Sequence, residues 1–567
     1  MKGDNMNQAS NGVGKYAVPP EIRALKPKDI SCLVKKIDGH YYVYEHLRVN
    51  DPNRPGKKKN ATGRYLGTIV DGEYIPYGQE SKSITDEDPD NLDYGPYGIA
   101  LACSQELLPS LKKAFRNTKD ATTIYVIAII YFVNHYVPAR DLRELYTQSV
   151  LCKKFTTVNL SENAAGDFIK ALGNHSRKRL TFEQQLINEG SGKYNIDGHV
   201  LLCCSVDNEL ADYGAKYQQL GNTQTNFMMV YDAKKKRGVA CVAFEGGISD
   251  KTEVTDVIES HTFMKARFRV DSGFYSETNM DLFRRNECIF TIPVPATTIL
   301  RKTALRHMEF DSSFIHQRND SHGKVVYSSV QYKEYLLGDL EKKAEADAIA
   351  DAKKKEEEYL RSLPEGQKPT KRFTPRKVDK SKYGSDRVII FKDQLMHDKL
   401  AFNYRKNIGD GKHTEEEFER LDPQFGVILL RTNDPNTTPE EVYVEYKERW
   451  GIETYYNYVR NGLDLNGLHT QDYYVQQGIG FLTLVEGQIY SEVLKKIEDA
   501  TIPYIKNMSV EECIRVAGRL KLAQRPDNTW HQNSMKGKVN ELFTYFGVDI
   551  EQTISDLNKS SKYTPGM

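Results

Sequence analysis

Hydrophobic and polar positions alternate with two different periods along the chain, and the changes of period divide it. After a polar arm of about 25 residues, three period-two runs read as strands: Cys32-Leu-Val-Lys-Lys-Ile, Tyr41-Tyr-Val-Tyr-Glu-His-Leu-Arg and Gly63-Arg-Tyr-Leu-Gly-Thr-Ile-Val70. Asp38-Gly39 between the first two is a hairpin signal. Residues 80–95 read as an acidic polar linker. From Tyr97 to Leu186 the period becomes helical, with helices expected over 104–115, 121–137, 140–147 and 161–172, the last capped by Ser161. Past Gly190 strands return at 194–204, 226–231 and 239–245, then a helix over 251–260, a strand Arg267-Phe-Arg-Val270, a helix over 278–285 and a strand at 288–293. That order predicts an α/β sheet of mixed direction.

The alternation breaks after about Pro295. Strands are expected at 325–332, 387–391 and 424–433, around an Ala/Glu/Lys-rich helix over 339–361 whose charges fall on every face and so predict exposure. Thr438-Pro-Glu-Glu441 combines an N-cap, Pro at N1 and Glu at N3, and starts a helix. Further helices are expected over 478–497, 510–522 and 536–546, with a frayed tail from Lys559.

At 567 residues the chain is long enough for several domains, and 28% charged with 39% hydrophobic residues is a soluble globular balance. The net charge of +1 conceals segregated basic and acidic runs, so it neither supports nor excludes nucleic acid. Eight cysteines without a CxxC pair or zinc spacing read as reduced core thiols of a cytosolic protein. The polar first 16 residues show no secretory signal, and the apolar run 124–133 is shorter than the about 20 residues a bilayer needs. No membrane partner is expected.

The candidate chemistry centres on Tyr446-Lys-Glu-Arg449-Trp450-Gly-Ile-Glu453 and continues to Arg460. On one uninterrupted helix, Tyr446, Arg449, Glu453 and Arg460 fall within roughly 60° of one another. Taken alone, such a stripe is a salt-bridged, solvated face. Two other acids change its reading. Asp197 lies in an apolar strand, where a carboxylate is costly unless paired or bound to metal, and Asp271 ends another strand. Three carboxylates on two strands and a helix suit hard cations such as Mg²⁺. Two such ions about 3.5–4 Å apart serve phosphodiester chemistry. Arg54-Pro-Gly-Lys57-Lys58-Lys59-Asn-Ala-Thr-Gly-Arg64, basic and without an acid, suits a DNA backbone or is a solubilising loop. The basic segment 368–382 carries the same two readings.

Three blocks resemble the cut-and-paste DDE transposases of bacterial insertion sequences, the class with a Tyr-x2-Arg-x3-Glu-x6-Lys signature. They are Ile196-Asp197-Gly198 with Tyr213-Gly214 and Gln224-x-Asn226; Val270-Asp271-Ser-Gly-Phe-Tyr-Ser276 with Asn279; and Tyr446-x2-Arg449-Trp450-x-Ile-Glu453-x6-Arg460. The acids lie 74 and 182 residues apart, and the second gap is where that family inserts a β-rich domain. Position 199 is His where the family has Thr or Ser, and Arg460 replaces Lys. His199 is either a contact to DNA or metal or a packed histidine.

The resemblance implies an α/β, ribonuclease-H-like, retroviral-integrase-like catalytic domain interrupted by a β-rich insertion, with an N-terminal β-hairpin module and helical layers. The expected divisions are 1–95 (arm and β module), 96–190 (helical DNA-binding or bracing domain), 191–295 (catalytic core, first part), 296–433 (insertion), 434–500 (final core helices) and 501–567 (C-terminal helical region). It further implies that Asp197, Asp271 and Glu453 hold two Mg²⁺ ions, with Mn²⁺ able to substitute. Water, then the freed 3′-hydroxyl, would attack DNA in line; relatives pass through a hairpin at the transposon end. Tyr446, Arg449 and Arg460 would bind phosphates, Trp450 would stack on a base or pack, and Lys57, Lys58 and Lys59 would touch DNA. The implied partners are transposon ends, target DNA and a second copy of the chain, in the bacterial cytoplasm at the nucleoid. Two alternatives stand beside this: a domesticated or inactive DNA-binding relic, and a metal-dependent nuclease on the same fold.

Overall fold

The structure, a computed structural model, describes residues 18–37, 40–50, 58–70, 72–76, 91–203, 208–214, 221–248, 250–319, 324–364, 367–370, 372–458, 467, 468, 470–535 and 537–561. Two units make up the chain, Met1–Asp88 and Pro89–Met567. In the first, strands β1 (Cys32–Ile37), β2 (His40–Asn50), β3 (Lys58–Val70) and β4 (Glu73–Pro76) form an antiparallel sheet in sequence order. Its core is small, with Cys32, Val43 and Ile69 buried together. The Asp38-Gly39 turn expected between β1 and β2 lies outside the described residues.

The second unit opens with a short strand, β5 (Asn91–Asp93), taken from the C-terminal end of the expected linker. A helical layer follows. Its centre is α1 (Thr118–Asn134), capped by the Asn117 side chain accepting from Lys119 N–H, and buried from Ala121 to Phe132. This is the apolar run too short for a bilayer, and each of its buried isoleucines contributes roughly 1.5–3 kcal/mol. Among the described residues no single helix is long and apolar enough to cross a membrane. Helices α2 (Glu162–Asn174) and α3 (Ser176–Asn188) belong to the same layer, as do the shorter helices Gly95–Cys103, Leu107–Phe115 and Leu142–Thr147. Ser161 stands at the N-cap of α2, but its side chain makes no capping bond, contrary to expectation.

The main sheet follows as an antiparallel meander of β6 (Lys193–Cys203), β7 (Gln224–Asp232) and β8 (Arg237–Glu245). Every residue of β7 is buried, as a strand covered on both faces requires. Helix α4 (Asp250–Ser260) leads to β9 (Arg267–Val270), and α5 (Glu277–Arg285) leads to β10 (Ile289–Pro293). Strand β9 lies parallel to both β6 and β10.

After α6 (Ile299–Arg306) come β11 (Ser312–Asn319), β12 (Val325–Leu336), α7 (Leu337–Ser362), β13 (Arg387–Asp393) and β14 (Val427–Thr432). The strands expected to form an interrupting domain do not build a sheet of their own. Strand β14 pairs antiparallel with β10, so the order runs β11-β12-β13-β14-β10-β9-β6-β7-β8 in one sheet. Charge on every face predicted an exposed α7, yet Leu337, Leu340, Glu341, Ala344 and Ala352 are buried along one side. Small alanines let that side close on its neighbours while the long charged chains point outward.

Helices α8 (Pro439–Lys447), α9 (Trp450–Asn457) and α10 (Tyr473–Glu498) follow, with the short β15 (Gly467–Leu468) beside β6. Helix α10 is buried from Gln476 to Ser491 and packs on β8, α1 and α2. It meets α2 through glycine. A Cβ on Gly478 would lie 2.3 Å from the Ile169 carbonyl oxygen, so no larger residue fits without parting the helices. The C-terminal region is not purely helical as expected. Helix Val510–Ala517 ends early, and β16 (Lys521–Gln524) pairs with β17 (Trp530–Gln532) and β5. A helix at Ile550–Ser561 closes the described chain. The seven described cysteines are free thiols; Cys32, Cys203, Cys241, Cys288 and Cys513 are buried, whereas Cys103 and Cys152 are partly exposed.

Glu486 in α10 is wholly buried among Tyr455, Tyr458 and Tyr490; Tyr458 O–H donates to it, and among the described residues its second oxygen has no hydrogen-bond partner. Burial pushes its pKa from the usual 4.5 up to about 8, with the Tyr458 hydrogen bond opposing. The native state therefore keeps it neutral where an unfolded chain would ionise it. Its contribution to stability is present below 4.5 and is lost as pH rises toward about 8. Glu486→Gln should leave urea stability nearly unchanged at pH 4.5 and raise it by a few kcal/mol, as an order of magnitude, at pH 8. Equal effects at both pH values would contradict a neutral Glu486.

Candidate active site

Strand register places the two aspartates. Asn195 pairs with Arg269, and Ile196 with Val270, on adjacent parallel strands. Asp197 is the next residue of β6 and Asp271 the residue just past β9, so the register directs both side chains to the same face, on backbones about 4.8 Å apart. Asp197 Oδ1 accepts from Gly198 N–H at 3.0 Å, and Asp271 Oδ1 from Ser272 N–H at 2.7 Å. The turn after Asp271 is fixed by its own sequence. Ser276 caps α5 by accepting from Asn279 N–H, and the Asn279 amide donates to Phe274 O at 3.1 Å. Gln224 and Asn226 brace the far end of β7, donating to Gly246 O at 3.1 and 3.3 Å.

Helices α8 and α9 supply the rest. The Thr438–Glu441 capping box forms as its sequence predicts. The single stripe does not. The helix breaks at Glu448 and Arg449, where Arg449 N–H bonds Tyr446 O and Ile452 N–H bonds Arg449 O, each three residues back. This tightening places Glu453 in the first turn of a new helix, where the positive end of the dipole favours a carboxylate. Arg449 Nη2 donates to Glu453 Oε1 at 2.7 Å, and its guanidinium lies 5.9 Å from the centre of the Tyr446 ring. Tyr456 of α9 donates to the Asp197 carbonyl at 2.6 Å, tying this helix to β6.

Electrostatics join the groups into one site. Burial alone would lower the Arg449 pKa, but Tyr446, Asp271, Glu453 and Asp197 all favour its charged form and raise it. Burial pushes the Tyr446 phenol up to about 12, opposed by Arg449 and assisted by Asp271 and Glu453. Arg449 thus sits among three carboxylates from two strands and a helix. Among the described residues no three His, Cys, Asp or Glu side chains stand close enough to hold one metal ion. The donors around Arg449 are carboxylate oxygens without thiolates, a set that fits Mg²⁺ or Mn²⁺.

Other predicted residues fall elsewhere. Arg460 and Lys57 lie outside the described residues, as does the side chain of Trp450, whose backbone opens α9. Lys58 and Lys59 are exposed strand residues of β3, facing Asn50 and Val49, and belong to the N-terminal unit. His199 is 4% exposed and stacks on Tyr456 with ring centres 5.0 Å apart, a packed histidine.

Sequence reasoning missed what holds α8 in place. Glu445 accepts from Lys193 Nζ at 2.6 Å and ion-pairs with Arg269 Nη2 at 3.2 Å and Arg267 Nε at 3.4 Å. Arg269 also comes within 4.0 Å of Glu448, at the helix break. Arg267 further grips the Asp434 side chain at 2.5 Å. The available signal was Arg267-Phe-Arg269, two arginines on one face of a strand whose other face is core. Glu445→Gln should cost about 3 kcal/mol in urea unfolding, because it leaves the buried Arg269 with only Glu448, at 4.0 Å, as counter-charge. A loss below about 0.5 kcal/mol would remove this anchor from the account.

No family model matches the chain, and no curated protein does. Among solved structures it is similar to a piggyBac transposase in a synaptic complex with hairpin DNA. Identity is 10%, coverage 84% of this chain and 87% of that one, and the TM-score 0.34, too loose to carry a functional argument.

Proposed function

We propose that the chain is a transposase that cuts and joins DNA at insertion-sequence ends, with a ribonuclease-H-like core formed by β6 to β10. The observation that carries this reading is the pair Asp197 and Asp271, brought side by side by strand register beneath Glu453 and Arg449. The mixed order β8-β7-β6-β9-β10, with acids on β6, just past β9 and on a later helix, supports it. So do the three sequence blocks that carry those acids.

Asp197, Asp271 and Glu453 would hold divalent ions. Bound Mg²⁺ would activate the attacking oxygen and stabilise the leaving one. The protein's own groups do the rest. Arg449 holds Glu453 with one nitrogen, and among the described residues its buried Nε has no hydrogen-bond partner, a donor left for a phosphate oxygen. Tyr446, nearly buried and kept protonated, can donate to a second oxygen. In the first step water adds to phosphorus and the P–O3′ bond breaks, freeing a 3′-hydroxyl; that hydroxyl then attacks a target phosphodiester, joining to its phosphorus as the target's own P–O3′ bond breaks and the target 3′-oxygen leaves with a proton. Two copies acting on paired ends, in a bacterial cytoplasm, complete the proposal.

A second reading, a DNA-binding relic without catalysis, draws on the Arg449–Glu453 pair occupying the centre of the described carboxylates. One experiment separates the two. DNA carrying the terminal repeats that flank the reading frame is incubated with the chain and Mg²⁺. The transposase reading expects nicking and strand joining, reduced at least about 10³-fold by Asp197→Asn, Asp271→Asn or Glu453→Gln in folded protein. Variants that cut and join like the parent would sink it, and a parent that binds without cutting favours the relic.

A further inference from the structure

The basic segment 368–382 has a structure that its composition does not reveal. Its described residues run without helix or strand along α7 in the opposite direction. Tyr359 O–H pairs with Thr370 Oγ1 at 3.1 Å and its ring meets Phe373 at 5.6 Å. Farther along, Lys380 reaches Glu345 at 2.8 Å and Ser381 N–H bonds Glu341 Oε1 at 2.8 Å. The segment is therefore a strap pinned at both ends.

Between the strap, α7 and α6 lies a groove of about 450 Å³. Five cations line it: Lys302, Arg306, Lys355, Arg372 and Arg376. Its two carboxylates are already engaged, Asp351 by Arg306 at 3.0 Å and Asp347 by His307 at 2.9 Å. Lys302, Lys355, Arg372 and Arg376 are exposed, and none forms an ion pair with a described carboxylate. Four uncompensated cations around one groove repel one another. Holding two of them on a pinned strap concentrates positive potential that only a polyanion neutralises.

The geometry points to this groove as a second DNA-binding surface, which takes the phosphate backbone of duplex DNA outside the catalytic carboxylates. The inference rests on the reading of DNA as substrate. Backbone contact of this kind is independent of base sequence and strongly salt-dependent, with each neutralised phosphate adding about 0.9 to the slope of log K against log salt. Arg372 and Arg376 present guanidinium forks that suit phosphate oxygens.

The test is fluorescence anisotropy of the full chain with a labelled duplex of the flanking repeat, titrated across salt. Arg372→Gln with Arg376→Gln should lower the slope by about 2 and weaken binding roughly 10- to 100-fold near 0.1 M salt. Arg372→Lys with Arg376→Lys should restore most of the slope, and melting temperature should be unchanged in both. If the glutamine pair unfolds the chain, Lys302→Gln with Lys355→Gln on the opposite wall should give the same loss. An unchanged slope in a folded glutamine pair overturns the inference, as does a parent chain that does not bind duplex. Strap-dependent binding of RNA alone overturns it too. Cleavage by the parent is measured on the same DNA: a parent that binds through the strap but never cuts fails the catalytic reading alone.

Discussion

The register of β9 against β6 is the constraint on which the rest depends. With Ile196 opposite Val270, the two aspartates that follow point to one face together. A slip of one residue would send Asp271 to the opposite face, into the apolar layer that contains Phe268 and Phe290. Hydrophobic burial on that far face therefore fixes the acids on the near one. Parallel pairing needs a crossover, and α4 supplies it between β8 and β9.

The near face is assembled mainly from charge. Glu445 gathers Lys193, Arg267 and Arg269 at the base of α8, while Tyr456 clips α9 to the backbone of Asp197. Between those attachments the chain tightens at Glu448 and Arg449 and changes helix. A buried ion network adds little net stability compared with apolar packing, but it punishes any other arrangement that leaves a charge unpaired. Such a network selects one geometry, as a site that must align carboxylates requires. Arg449 at its centre balances charges that would otherwise repel, and its burial is tolerated because four groups favour the cation.

Local pattern made much of this legible. The strands β6 to β10 and helices α4 and α5 follow from periodicity, and the Thr438–Glu441 box from three agreeing cap signals. Asp197 and Asp271 stood out because a carboxylate in or at the end of an apolar strand needs a reason. What stayed hidden is non-local. Nothing near residues 424–433 says that β14 will pair with β10, which joins the expected insertion to the main sheet. The break at Arg449 has no proline to announce it, so a continuous helix was the natural reading, and Arg460 cannot be placed by extending that stripe. The first two residues of β16 read as the end of a helix; β17 is a local hairpin partner, but β5, which pairs with the other edge of β16, lies at the far end of the unit. The strap at 368–382 looked like a free loop because its contacts with α7 come from residues that sequence alone does not align with it.

The proposed role of Asp197, Asp271 and Glu453 is to form one hard-cation site. Crystals of the full chain soaked in Mn²⁺ test it most directly, through anomalous scattering at the manganese edge. Peaks are expected between the carboxylates of Asp197 and Asp271, with Glu453 turned from Arg449 toward the metal, and these peaks should vanish in Asp271→Asn. Well-ordered carboxylates with no anomalous peak at saturating Mn²⁺, and Arg449 still bonded to Glu453, would contradict it.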